Sequence, residues 1–166
     1  MKKLIGQSVD SLDTPVLIVE LNALNRNIDK MSSTIISEAG VGWRPHTKSM
    51  KNPDLAKLCL KAGAHGITCA KLGEAEVMAS AGINDILVAN QIVGSKKISR
   101  LIELSNIADV KVCVDNIENV KEIDSFARKA KIHQKVLIEI DVGFGRTGIK
   151  PGRQALDFAN KITRYK

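Results

Sequence analysis

Val136-Leu137-Ile138-Glu139-Ile140-Asp141-Val142-Gly143-Phe144-Gly145-Arg146-Thr147-Gly148 carries the pattern from which the architecture follows. Its apolar opening reads as a strand over residues 136–141, covered on both faces as the strands of parallel sheets are. The glycines behind it let the backbone turn sharply at the strand's C-terminal end, where α/β proteins place their ligands. The same unit recurs upstream. Strands are expected near residues 43–48, 65–70, 85–90 and 110–114, each followed by a stretch of helical periodicity. Strand–helix repeats of this kind imply right-handed βαβ units and a parallel sheet.

The helices carry their own punctuation. Asn52-Pro53 supplies an N-cap with proline at the first helical position, and Gly63 closes that helix. The helix that begins at Gly73 closes at Gly82; Ser95 and Asn116 stand where they can cap the next two, and Pro151 lies near the start of the last. Further upstream a short β-rich run, Pro15-Val16-Leu17-Ile18-Val19-Glu20, precedes a helix with an apolar stripe of Leu21, Leu24, Ile28, Met31 and Ile35. No linker interrupts the pattern, so residues 1–166 read as one α/β unit. Five parallel strands could complete a flavodoxin-like open sheet. On length alone that reading is the favourite, since a (β/α)8 barrel takes about 250 residues in full and this chain could hold only part of one.

The 166 residues hold 25 Lys+Arg against 18 Asp+Glu, a formal net charge of +7, with 44% hydrophobic and 26% charged residues. That is globular composition and excludes a disordered tail, a collagenous fibre and a disulfide scaffold. No stretch approaches the ~20 apolar residues that span a bilayer. The start is basic, with Lys2 and Lys3, but residues 7–13 are polar and supply no apolar signal core. Cys59, Cys69 and Cys113 read as small buried hydrophobes of a reducing compartment, so a cytoplasmic protein is expected. The basic residues are scattered over several helices and aromatics make up only 3%, too few for a stacking platform. Neither nucleic acid nor membrane is expected as a partner.

Chemistry concentrates in Trp43-Arg44-Pro45-His46-Thr47-Lys48. On a strand Arg44, His46 and Lys48 share one face, and Trp43, Pro45 and Thr47 the other. Burying unpaired cations is costly, so the basic face meets either water or an anion. A lysine crowded by Arg44 and desolvated would lose its proton more readily and become nucleophilic toward an aldehyde, which makes Schiff-base formation natural for Lys48. An exposed edge strand with a basic face would read the same way. On the strand at 136–141, Leu137, Glu139 and Asp141 share a face; if both strands turn these faces inward, Glu139 or Asp141 can neutralise Arg44 or His46, and otherwise Glu139 faces solvent. Gly143-Phe144-Gly145-Arg146-Thr147-Gly148 matches G-x-G-x-x-G, but it follows the fifth strand rather than the first and argues against a dinucleotide site. Its use is to present Arg146 at the strand end, unless Arg146 merely forms a loop salt bridge. Asn90-Gln91, ending the third strand, can line a pocket or satisfy backbone groups. His65 and His133 read as structural or surface residues, and Glu74 and Glu76 as helix initiation.

Four tracts occur in a fixed order: Asp13-Thr14-Pro15-Val16-Leu17, Arg44-Pro45-His46-Thr47-Lys48, Gly66-Ile67-Thr68-Cys69-Ala70-Lys71-Leu72-Gly73-Glu74-Ala75-Glu76 and Glu139-Ile140-Asp141-Val142-Gly143-Phe144-Gly145-Arg146-Thr147-Gly148. Together they resemble the D-threonine aldolase and D-serine dehydratase family, fold type III enzymes with an alanine racemase-type barrel. The resemblance implies an incomplete (β/α)8 barrel of about five βα units, with the later strands and a C-terminal β domain lying outside residues 1–166. It implies pyridoxal 5′-phosphate carried on Lys48, Arg146 near the ring's phenolic oxygen, and Arg44 and His46 lining the pocket. The implied substrate is a D-β-hydroxy amino acid, cleaved in a retro-aldol reaction to glycine and an aldehyde. The alternatives are β-elimination to an oxo acid and ammonia, or cofactor binding without turnover. A homodimer is implied for the full-length form. So is a divalent metal, whose ligands in the family belong to the C-terminal part.

Overall fold

The computed structural model describes residues 4–165, so the basic start at Lys2 and Lys3 lies outside the described residues. The elements run α1 (Leu21–Ser32), α2 (Pro53–Lys61), β1 (Ile67–Cys69), α3 (Leu72–Ser80), β2 (Asp85–Val88), α4 (Ser95–Ser105), β3 (Asp109–Val114), α5 (Ile117–Ala130), β4 (Lys135–Ile138) and α6 (Arg153–Ile162). The four strands are parallel and neighbour one another in chain order, β1-β2-β3-β4. That order selects between the two architectures left open above. A flavodoxin-like sheet reverses direction at a switch point, whereas strands laid down in sequence, each followed by a helix, form an arc of a barrel. The molecule is a partial βα barrel of parallel strands.

One strand face builds the core. Ile86 and Val88 from β2 and Val110, Val112 and Val114 from β3 are buried in one cluster with Met78 of α3, Ile98 and Leu101 of α4, and Val120 and Ile123 of α5. A second, smaller cluster joins α1 to α2 through Ile28, Trp43, Cys59 and Ala64. The opposite strand face is concave and only partly covered. It carries Asp85, Leu87, Asp109, Lys111 and Cys113, all half-buried, and then Leu137, which is 40% exposed. The expectation that the last strand is covered on both faces is therefore corrected: β4 pairs only with β3 and its inner face is open.

Two further expectations change. Residues 15–20 form no strand, and Leu17 is 98% exposed. Residues 43–48 form no regular strand either; they join β1 through a single parallel bridge, His46 to Thr68. Proline at 45 has no N–H to offer a ladder, and the chain turns away directly after the bridge. Four regular strands thus stand where five were expected. Helix starts follow the sequence more closely. Asn52 Oδ1 accepts the N–H groups of Asp54 and Leu55, and Asn116 Oδ1 that of Glu118. Gly94 rather than Ser95 precedes α4, and α3 begins at Leu72 rather than Gly73. Of the stripe, Ile28 is buried in the cluster with Trp43, Cys59 and Ala64, Leu24 and Ile35 pack against that cluster, and Leu21 and Met31 are exposed.

Candidate active site

The 43–48 segment owes its position to two backbone hydrogen bonds with β1: Thr68 N–H donates to Pro45 O at 2.8 Å, and Thr47 N–H to Thr68 O at 2.8 Å. Thr47 is fully buried, and its hydroxyl donates to the same Thr68 carbonyl at 3.0 Å. With Thr47 held inward, His46 and Lys48 are left exposed. His46 Nδ1 accepts the backbone N–H of Lys48 at 3.3 Å. Partial burial, then the nearby Lys48 charge, lowers the pKa of His46 from its ordinary value. Both facts favour a neutral ring with its proton on Nε2.

A cavity of about 400 Å³ opens at the C-terminal ends of the strands, lined by His46, Lys48, Asn90, Gln91, Glu139 and Arg146, with Thr147 and the small residues Ala70 and Ala89. This is within the range of ~300–1,000 Å³ usual for small-molecule sites. Arg146 is delivered by the 143–148 loop, in which Gly143, Gly145 and Gly148 have φ of 114°, 65° and 100°. Gly148 also sits against the chain: a Cβ there would lie 2.7 Å from the Asp141 nitrogen. Asp141 Oδ1 accepts the N–H groups of Gly143 and Gly145, each at 3.0 Å, and these bonds hold its carboxyl below the usual carboxylate range.

The structure brings His46, Lys48 and Arg146 together and leaves Arg44 out. The Arg44 guanidinium lies at the N-terminal end of the strands, 2.9 Å from Asp85 Oδ1 and 3.3 Å from Ile67 O. The expectation that Arg44 lines the pocket is corrected by strand geometry. Arg44 precedes the His46 bridge and Lys48 follows the turn after it, so the two stand at different levels of the sheet. The expected neutralisation of Arg44 or His46 by Glu139 or Asp141 is not formed: Arg44 has Asp85, Asp141 is spent on the loop, and Glu139 accepts from Gln91 and Thr147. The crowding and burial expected around Lys48 are not present either; it is exposed, with His46 beside it.

At the Arg44 level the concave face carries an ion ladder across the strands. Asp85 Oδ1 meets Lys111 Nζ at 2.7 Å, Lys111 meets Asp109 at 2.9 Å, and Asp109 meets Lys135 at 2.8 Å. Gly66 makes room for it, since a Cβ there would overlap Arg44 Nη1 and lie 2.8 Å from Asp85 Cγ. His65 and His133 are outside the cavity; the His65 ring lies against Gly42.

Asp115 is the site residue the motif reading missed. Its Oδ2 accepts from Gln91 Nε2 at 3.0 Å and from Gly148 N–H at 2.9 Å. The signal was its place: it directly follows β3, where Asn90-Gln91 follows β2 and Glu139 follows β4. Chemically, the cavity offers an amine and a guanidinium to one ligand, beside a carboxylate already bonded to Gln91 and Thr147. That donor set fits a ring bearing an aldehyde and an anionic oxygen, as pyridoxal phosphate does. Among the described residues no group of three His, Cys, Asp or Glu side chains is gathered to hold a metal ion, and no helix is long and apolar enough to cross a membrane.

Residues 19–166 match the family described as alanine racemase, N-terminal domain. The D-threonine aldolase of an Arthrobacter species is 35% identical over 156 residues, which are 94% of this chain and 41% of that protein. The 3-hydroxy-D-aspartate aldolase of Paracoccus denitrificans is 37% identical over 156 residues, 93% of this chain and 40% of that one. Among solved structures, the D-threonine aldolase from Filomicrobium marinum superposes with a TM-score of 0.89 at 36% identity, over 93% of this chain and 42% of the other. The chain thus spans about 40% of the length of the curated relatives it matches.

Proposed function

Because this chain belongs to the family of alanine racemase N-terminal domains, we propose that it is the lysine-bearing part of a pyridoxal-phosphate-dependent lyase that cleaves D-β-hydroxy amino acids to glycine and an aldehyde. The observation that carries this reading is that Lys48 and Arg146, far apart in the chain, line one cavity at the C-terminal ends of the strands. The relatives named above are aldolases of D-amino acids, which supports the substrate class.

In this reading Lys48 Nζ attaches the cofactor and is the cavity's site for taking up or returning a proton. The bound cofactor draws electrons out of the bond to be broken. Arg146 would hold the negative charge of the ring's phenolic oxygen. His46 acts as a hydrogen-bond donor through Nε2, because its Nδ1 is committed to the Lys48 N–H. Glu139 keeps both oxygens on Gln91 and Thr147 and lends the cavity one negative charge beside two cations. The divalent metal and the homodimer belong to the same proposal and rest on the resemblance alone, while the cytoplasmic setting rests on the three free cysteines.

The test is to mix the chain with pyridoxal phosphate, reduce with borohydride and locate the label by peptide mass. Label on Lys48, lost in Lys48→Ala, is expected; label spread over many lysines, or none, overturns the reading. Assay of the full-length protein with D-threonine then distinguishes glycine release from release of ammonia and an oxo acid, which would indicate a dehydratase.

A further inference from the structure

Beside Lys48 side chains tie the ends of three strands together, past the last backbone pairing of the sheet. Gln91 Nε2, just past β2, donates to Glu139 Oε2 at 2.6 Å and to Asp115 Oδ2 at 3.0 Å. One amide nitrogen thus gives each of its two hydrogens to a different carboxylate. Each carboxylate then reaches the same loop: Glu139 Oε1 accepts from Thr147 Oγ1 at 2.7 Å, and Asp115 Oδ2 from Gly148 N–H at 2.9 Å. Thr147 and Gly148 are the two residues that follow Arg146.

This arrangement is costly unless it has a use. Two carboxylates drawn to one amide repel each other, and all three side chains are half-buried. A loop of three left-handed glycines is also the kind of segment that wanders unless it is held. The backbone pairing of Glu139 and Asp141 with Ile149 closes the base of the loop, and the Asp141 carboxylate holds Gly143 and Gly145 on the near side of Arg146. On its far side, Thr147 and Gly148 are held by Glu139 and Asp115, which Gln91 joins.

We propose that Gln91, Asp115 and Glu139 are positioning residues for Arg146: a polar clamp across the ends of β2, β3 and β4 that aims the 143–148 loop into the Lys48 cavity. The inference rests on the functional reading above for what Arg146 is aimed at, and on geometry alone for the clamp. It predicts that the clamp strengthens cofactor binding only through Arg146.

The test uses Thr147→Val, which removes one donor at nearly constant volume, with Thr147→Ser as the variant that keeps it. Asp115→Asn covers the second arm. Pyridoxal phosphate affinity is read from the visible absorbance of the lysine-bound ring, in the native background and with Arg146→Ala. Thr147→Val is expected to weaken binding about tenfold in the native background, the usual worth of a hydrogen bond to a charged group. With Arg146→Ala in place the loss should shrink to less than about twofold, as coupled residues behave in a double-mutant cycle. Thr147→Ser should restore affinity. Equal losses in both backgrounds, or none in the native one, overturn the proposal. Hydrogen exchange in the cofactor-free protein separates the two layers of argument. Loss of Gly148 and Ile149 amide protection in Thr147→Val and Asp115→Asn supports the clamp, and unchanged protection refutes it, whether or not Lys48 takes up cofactor. Failure of the unaltered chain to bind pyridoxal phosphate counts against the functional reading and the aim of Arg146, and leaves the clamp itself to the exchange data.

Discussion

Thr47 shows how one small side chain sets the direction of its neighbours. It is fully buried between two exposed residues, with its hydroxyl on Thr68 O and its backbone N–H on the same oxygen. Thr47→Val keeps the shape and removes the hydroxyl hydrogen bond, while the backbone bond still serves the carbonyl. The expected cost is about 1 kcal/mol in urea unfolding, with Lys48 labelling retained. A loss of more than about 3 kcal/mol, or loss of Lys48 labelling with the fold intact, would show that the hydroxyl does more than tether the segment. At this scale the sequence was legible where chemistry and position coincide. Lys48 and Arg146 stood out because a basic strand end and a glycine turn both point to the ligand-bearing rim. Arg44 was misread because alternation assigns a face but not a layer, and only the neighbouring strands, Asp85 above all, show which layer a residue joins. Asp115 carried no motif, and its partner Gly148 is far off in sequence.

The strands themselves carry the ion ladder of Arg44, Asp85, Lys111, Asp109 and Lys135. Burial works against the ionised form of Asp85, but hydrogen bonds and charge from Arg44 and Lys111 outweigh it and hold the carboxyl below its ordinary value. Asp109 is lowered too, by its hydrogen bonds to Lys135 and Lys111. Since the folded pKa values are depressed, the unfolded chain takes up protons first. The stabilisation is in force above the free carboxylate pKa of about 3.9 and is lost as pH falls through the folded values. Asp85→Asn should therefore lower stability at pH 7 by about 1 kcal/mol, a modest figure because the side chain is partly solvated. It should also flatten the acid limb, so that variant and native protein converge as pH falls through the lowered pKa of Asp85. Urea midpoints across pH 2–7 measure this, and parallel curves at all pH values would exclude Asp85 as an acid-sensitive anchor. Three of the five expected strands are the regular strands β2, β3 and β4, and β1 covers the centre of a fourth. The stretch at 43–48 failed as a regular strand because Pro45 withholds a donor and the chain turns at once, a limit set by pairing rather than by hydrophobic pattern.

For the molecule as a whole, consecutive strand order makes a curved sheet with a covered convex face and an open concave one. Among the described residues nothing pairs with the outer edge of β4, and the inner face beside it presents Leu137. Ile140, Val142 and Phe144 follow it in sequence and are also exposed, the last two almost completely. An unpaired edge next to apolar side chains is a template for another strand, and natural edges are guarded by inward-pointing charges. Lys135 supplies such a charge at the start of β4, but its ammonium is drawn toward Asp109 in the ladder. The next inward position, Leu137, has no such guard. The chain is therefore expected to associate in a concentration-dependent way, with β4 in the contact. Leu137→Lys places a charge on the open face where it can reach water, so it should leave helix content by circular dichroism unchanged. Sedimentation velocity should then show the associated fraction falling severalfold at equal concentration. If the variant associates as strongly as the native chain, the contact lies elsewhere, and the exposed run at residues 16–19 is the next surface to charge. If the native chain stays monomeric over the same range, the single bridge at β1 and the ion ladder suffice to keep the open arc soluble, and the edge is weaker as a template than its apolar surroundings imply.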